Sequence, residues 1–296
     1  MIDLHMHTTY SDGTDDLKTV LKKAEEKNLN IIAITDHNVC GAYDELNTFD
    51  VKEYYTGRII KGVEMNTKVL GIPIEILGYN INPEILKVEL KEAYITNTER
   101  NILEVKRLAQ KCEEHGIDIG ENFVENYNPE MYASKYLHGK ITSNPNNKGL
   151  IDEESWENSN VFYRKYMSNP ETMFYVNMDD VLPDFEEAYN IVKKAGGLVF
   201  LPHIYEYREN SDKILKYILE NYKIDGIECY YTTFTEEQHE YLLKLCKERN
   251  LLVSGGSDYH GSFKPNVDLG VGYGNLKIPD EIVENWCIKT KIDKIM

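Results

Sequence analysis

Apolar positions along this chain fall into short unbroken runs separated by longer stretches at helical spacing. Ile31-Ile32-Ala33-Ile34-Thr35 is a run of the kind that forms a strand buried on both faces. Residues 2–7, Ile59–Val63, Ile72–Tyr79, Leu198–Leu201, Gly226–Tyr230 and Leu251–Ser254 are further strand candidates. Between them, Leu17, Val20, Leu21 and Ala24 recur at helical spacing within Asp15–Lys27, and residues 184–195, 211–221 and 235–249 carry similar patterns. Strands alternating with helices predict a parallel sheet with crossover helices. The middle of the chain breaks this alternation. Residues 85–116 predict one long charged helix or a broken pair, and from Asn122 to Asn177 the chain turns polar and aromatic, with a loop at Asn144-Pro145-Asn146-Asn147. The expected organisation is a sheet-forming part at 1–84, a mostly helical insertion at 85–178, and a second sheet-forming part at 179–296.

Chemistry gathers where the predicted strands end. His5 and His7 lie two apart in the first strand, so both imidazoles point to the same face. Asp36-His37 follows the run ending at Thr35, and Glu64 follows Ile59–Val63. Glu75 sits in the next strand, His203 follows Leu198–Leu201, and Asp258 with His260 follows Leu251–Ser254. In a closed parallel barrel such ends converge on one face, where active sites are built. These donors are imidazoles and carboxylates without thiolate, a set that suits manganese, iron or zinc. They are too many for one ion, so a carboxylate such as Glu64 would bridge two. Asp36 is expected to be a supporting carboxylate, and Glu228, at the end of Gly226–Tyr230, to hold the barrel mouth.

Charge narrows the partners. The formal net charge is -17 over 296 residues, which disfavours a broad grip on long duplex nucleic acid but leaves small phosphorylated molecules open. Cations bound locally would reverse the sign of the pocket. No apolar run approaches a membrane span, and no secretory leader is evident at the N-terminus. The five cysteines, scattered and odd in number, fit reduced thiols in a cytoplasmic protein.

The stretches His5-x-His7-Thr8-x-Tyr10-Ser11-Asp12-Gly13, Thr35-Asp36-His37, Gly62-Val63-Glu64, Gly196-Gly197 leading to His203, and Gly255-Gly256-Ser257-Asp258-Tyr259-His260-Gly261 resemble the PHP (polymerase and histidinol phosphatase) superfamily. The closer similarity is to its free-standing phosphoesterases, which include nucleoside 3′,5′-bisphosphate phosphatases. The resemblance implies a distorted (β/α)7 barrel carrying the helical insertion and three divalent metals. His5, His7, Glu64 and Asp258 would hold the first metal; Glu64, His203 and Glu75 the second; Asp12, His37 and His260 the third. Position 75 is commonly histidine in that family, so glutamate there is a departure. A second departure is Pro129-Glu130-Met131-Tyr132-Ala133, which lacks the Arg/His pair that grips phosphate in relatives.

The activity implied is hydrolysis of a small phosphomonoester, such as a nucleotide 3′-phosphate, by a hydroxide bridging the first two metals. His5, His7, Glu64, Asp258 and His203 form the expected catalytic set, with Lys264, Arg208, Arg100 and His138 as candidates for substrate contact. Alternatives are cleavage of a phosphodiester in short oligonucleotides, a histidinol-phosphatase-like reaction, and hydrolysis of a C–N or C–O bond. A non-catalytic metal-bound module fits less well, because no polymerase-like region accompanies these residues.

Overall fold

The computed structural model describes residues 1–284 and Trp286, so Cys287 lies outside the described residues. The chain divides into two compact units, one holding Met1–Ala93 with the described residues from Leu182 on, the other Tyr94–Val181. The helix Pro83–Ala93 belongs to the first of these.

Seven strands make the first unit: β1 (Ile2–Asp3), β2 (Ile31–Ile34), β3 (Arg58–Val69), β4 (Ile72–Tyr79), β5 (Leu198–Leu201), β6 (Gly226–Tyr231) and β7 (Leu252–Gly256). They lie side by side in chain order. The first strand is shorter than its apolar stretch, because only Ile2 and Asp3 pair regularly with β2. Residues beyond it pair instead across the gap to β7. Leu4 N–H donates to Gly255 O (3.0 Å), Asp258 N–H to His5 O (2.8 Å) and His7 N–H to Tyr259 O (2.8 Å), which closes the sheet into a barrel. Its interior is a layer of buried apolar side chains that includes Ile2, Leu4, Leu77, Tyr79, Phe200 and Trp286.

Helices Leu17–Glu26, Ser211–Asn221 and Glu236–Arg249 occupy the crossovers and Phe185–Lys194 leads into β5, all within a residue or two of their expected bounds. Each buries its apolar stripe, as Leu17, Val20, Leu21 and Ala24 do in the first of them. Local chemistry sets their ends. The Asp16 carboxylate accepts from Thr19 N–H, and Thr235 with Gln238 forms a reciprocal capping box.

One strand departs from the all-parallel expectation. β4 runs antiparallel to both β3 and β5, while the other neighbouring pairs are parallel. The cause is a two-residue turn at Leu70-Gly71, both with positive φ (55° and 75°), which returns the chain directly as a hairpin. Leucine is an unusual residue in that position, so the turn is poorly advertised.

The second unit is helical, with Asn97–Glu114, Ala133–Ser143 and the shorter Glu153–Glu157 and Ser159–Phe162. Of the two readings for residues 85–116, the broken pair is the one observed: Pro83–Ala93 ends before Asn97–Glu114 begins at a Thr96/Glu99 capping box. This unit has its own core around Leu108, Leu137, Ile141, Phe162 and Phe174. Among the described residues no helix is long and apolar enough to cross a membrane.

Barrel closure needs a bare backbone at Gly256, where a Cβ would fall 2.2 Å from His5 Cβ and 2.4 Å from His5 N. Backbone cannot yield cheaply there. Gly256→Ala is expected to destabilise the protein by about 1–3 kcal/mol, read as a lower denaturant midpoint; an unchanged midpoint would show that the β1–β7 contact is looser than described.

Candidate metal centre

Residues just beyond β1, β2, β5 and β7, with Glu64 from within β3 and Glu75 from β4, bring their side chains to one end of the barrel. Glu75 gets there because β4 is reversed: its amino-terminal half reaches the mouth that the parallel strands reach with their carboxyl ends. It pairs with Asn66, two residues past Glu64. His37 follows β2 and forms an isolated bridge with Glu64.

Five of the chain's eight histidines meet here. Glu64 is the hub. Its Oε2 lies 3.1 Å from His5 Nε2, 3.1 Å from His7 Nε2 and 3.4 Å from His37 Nδ1, and its Oε1 lies 2.9 Å from His203 Nε2. Asp258 Oδ1 faces His7 Nε2 at 3.3 Å and His5 Nε2 at 3.6 Å. Asp12 Oδ1 faces His260 Nε2 at 3.3 Å and His37 Nε2 at 3.9 Å. Glu75 Oε2 lies 3.4 Å from His203 Nε2. Three overlapping groups have donor atoms within 4.8 Å of one another: His5, His7, Glu64 and Asp258; His7, Asp12, His37 and His260; and His37, Glu64 and Glu75. His7 and His37 each face two groups through their two ring nitrogens.

The donor atoms themselves test whether a cation fits. His5 Nε2, His7 Nε2, Asp12 Oδ1 and His37 Nδ1 are buried without a hydrogen-bond partner. Buried polar atoms are almost always satisfied, so four orphans within these donor groups mark a place for ligands. Imidazole and carboxylate donors accommodate divalent cations of the manganese, iron or zinc type.

Electrostatics points the same way. Burial opposes the charge on His7, but Asp258 and Glu64 outweigh it and raise the imidazolium to about 10. His203 is raised to about 9, burial being overcome by Glu64 and Glu75. Burial would raise Glu64, yet His5 and His37 hold it well below the usual carboxylate range. Asp258 is likewise lowered, against burial, by His5, His7 and Lys264. Burial and the Glu64 charge push Glu75 up. The buried carboxylates thus favour the protonated forms of His7 and His203.

Supporting residues fix the donors. Asp36 accepts from Thr8 N–H (2.7 Å), Thr8 Oγ1 (2.8 Å) and Ser11 Oγ (2.7 Å), which secures the turn carrying Asp12. Tyr231 OH donates to Asp258 Oδ2 (2.7 Å), and Lys264 Nζ lies 2.5 Å from the same oxygen. His203 and Asp258 both hold left-handed backbone (φ 23° and 58°), strain of a kind retained at functional sites.

Two supports escaped the sequence reading. Buried Asp3 accepts from His5 N–H, from Ser257 N–H and Oγ, and from Gly270 N–H. Its signal was a carboxylate inside an apolar run, on the same alternation as His5 and His7. Tyr207 OH accepts from Glu75 N–H at 2.8 Å, and no motif announces it. Of the candidates for substrate contact, Lys264 is at the cluster, and Arg208 is exposed on the turn after His203. The other two belong to the helical unit, where Arg100 faces Glu104 at 3.7 Å and His138 Nε2 donates to the carbonyls of Ser155 and Trp156. Met131 is exposed in that unit.

The PHP domain profile matches residues 3–153, half of the chain. The chain belongs to the PHP domain family. Among its relatives, a 5′-3′ exoribonuclease of Haemophilus influenzae is 25% identical over 290 residues, covering 96% of this chain and 97% of its own. A 3′,5′-nucleoside bisphosphate phosphatase of Chromobacterium violaceum is 24% identical over 278 residues, covering 91% and 90%. A Bifidobacterium adolescentis structure assigned as a metal-dependent phosphoesterase superposes with a TM-score of 0.72 at 23% identity, covering 99% of this chain and 97% of that one. That last likeness is one of fold.

Protons and cations compete for these PHP imidazoles, which sets a sign for metal uptake. Affinity is expected to climb as pH rises toward the His203 and His7 values of about 9 and 10, with proton release on binding. Calorimetric titration in two buffers of different ionisation enthalpy measures that release. Uptake without proton release would contradict the charge balance described.

Proposed function

We propose that the chain is a metal-dependent phosphoesterase that hydrolyses a small phosphomonoester, with a nucleotide 3′-phosphate as the first candidate. The observation that carries this reading is the knot of unpartnered donor atoms at the barrel mouth, with a lysine ammonium at its edge. The donor set would suit three divalent cations. His5, His7, Glu64 and Asp258 would hold one; Glu64, Glu75 and His203 a second; Asp12, His37 and His260 a third. When bound, such cations supply Lewis-acid charge that polarises a phosphoryl group and makes water a stronger acid.

The chain's own residues then bind and orient. Lys264 is anchored to Asp258 with 35% of its side chain open, so its ammonium can also meet a phosphoryl oxygen. Arg208, five residues after His203, is the candidate for a second cation. Its backbone (φ 51°, ψ -122°) is a costly conformation of the kind kept at ligand clamps. Buried carboxylates and imidazoles line the base of the site and exclude bulk water, which strengthens every charge interaction there. A role for His138 is less supported, because its Nε2 is committed to two carbonyls of its own unit.

The net charge of -17 favours a small substrate over a long polyanion. The bisphosphate phosphatase relative supports a nucleotide with a 3′ phosphate. A second reading, removal of nucleotides from a short RNA, draws on the exoribonuclease likeness that runs over 96% of the chain.

Phosphate released from a nucleoside 3′,5′-bisphosphate, but not from the corresponding 5′-monophosphate, supports the first reading. Mononucleotides freed from a short RNA without phosphate release favour the second. Chelator treatment is expected to abolish turnover, and full activity after it would contradict both. His203→Ala and Asp258→Ala should each lower kcat by about 100-fold or more. Lys264→Ala should lower kcat/KM by about ten- to hundredfold.

A further inference from the structure

Glu228 is completely buried, yet it belongs to none of the three donor groups. It stands in β6 with one carboxylate oxygen for each of two neighbours. Oε1 lies 3.0 Å from His5 Nδ1, and Oε2 accepts from the backbone N–H of His203 at 2.8 Å. We propose that Glu228 is a positioning residue that ties two metal groups together, holding the His5 ring with Nε2 bare and fixing the turn that presents His203. This inference rests on the metal reading of the cluster.

The geometry demands an acceptor on both sides. A backbone N–H can only donate, so Oε2 must accept. For His5 Nε2 to offer its lone pair to a cation beside Glu64 and Asp258, the ring proton must sit on Nδ1, and Oε1 must accept it. A carboxylate satisfies both donors at once. A carboxamide cannot: it has one oxygen, and its NH2 group must face the other donor. If the oxygen stays with His203, the NH2 donates to His5 Nδ1 and the ring proton moves to Nε2, into the face that should receive metal. If the oxygen stays with His5, the NH2 opposes the His203 N–H and the strained turn at φ 23° loses its anchor. Either way one metal group is damaged. The usual near-isosteric replacement is therefore the disruptive one, and the shorter aspartate is the milder.

The test compares metal-stripped wild type, Glu228→Gln and Glu228→Asp, each titrated with zinc. Zinc-loaded samples labelled with 15N-histidine report the ring tautomer, and amide exchange of His203 is followed in the metal-free proteins. Glu228→Gln is expected to bind zinc about ten- to hundredfold more weakly, and either to show His5 protonated on Nε2 or to lose protection at the His203 amide. Glu228→Asp should retain more of the affinity and keep Nδ1 protonated. Wild-type affinity with an unchanged tautomer and amide in Glu228→Gln, or a greater loss in Glu228→Asp than in Glu228→Gln, would overturn the proposal. If the wild type takes up no zinc, the metal reading fails along with the coupling of two metal groups. The His203 amide comparison separates that failure from one confined to Glu228.

Discussion

Everything at the barrel mouth depends on the short ladder that joins residues 4–7 to residues 255–259. Three backbone hydrogen bonds across it close the sheet, and they do so at the point where both chains carry site residues. Because strand side chains alternate, His5 and His7 face the same way. On the other side Asp258, in left-handed backbone, carries its carboxylate to them. Gly256 permits the approach by leaving no Cβ where His5 stands. Closure and site assembly therefore rest on the same backbone bonds, and a change that loosens the ladder would disturb the donors as well.

The assembled mouth is electrostatically incomplete by itself. Five imidazoles face Asp12, Glu64, Glu75, Asp258 and Glu228, nearly all of them deep in the protein. Burying such charges is costly unless each is matched, and the match must come from protons on the histidines or from cations between the groups. The orphaned ring nitrogens favour cations. The outer carboxylates make that choice possible: Asp3 holds the His5 backbone, Asp36 the Asp12 turn, and Glu228 the His5 ring with the His203 turn.

Much of this was legible in the sequence, for identifiable physical reasons. Buried strands advertise themselves as apolar runs, and a donor placed directly after such a run has few reasons to be there other than the mouth of the barrel. His37, His203 and His260 were accessible in that way. The reversal of β4 was not, because Leu70 occupies a turn position where asparagine or glycine would have signalled a hairpin. That reversal explains how Glu75, from the early part of its strand, reaches donors that come from strand ends. Tyr207 was also invisible, since a tyrosine whose hydroxyl meets one backbone N–H leaves no spacing to recognise. Arg100 and His138 of the helical unit look alike in sequence whether they grip a ligand or, as His138 does, a pair of carbonyls.

The central claim is that the orphaned donors at the barrel mouth are metal ligands, and anomalous diffraction from crystals soaked in manganese addresses it most directly. The account predicts strong peaks between His5, His7, Glu64 and Asp258, with Glu64 shared with a neighbouring peak, at about 2.0–2.3 Å from their donor atoms. A mouth free of anomalous signal, with manganese bound only at surface carboxylates, would contradict it.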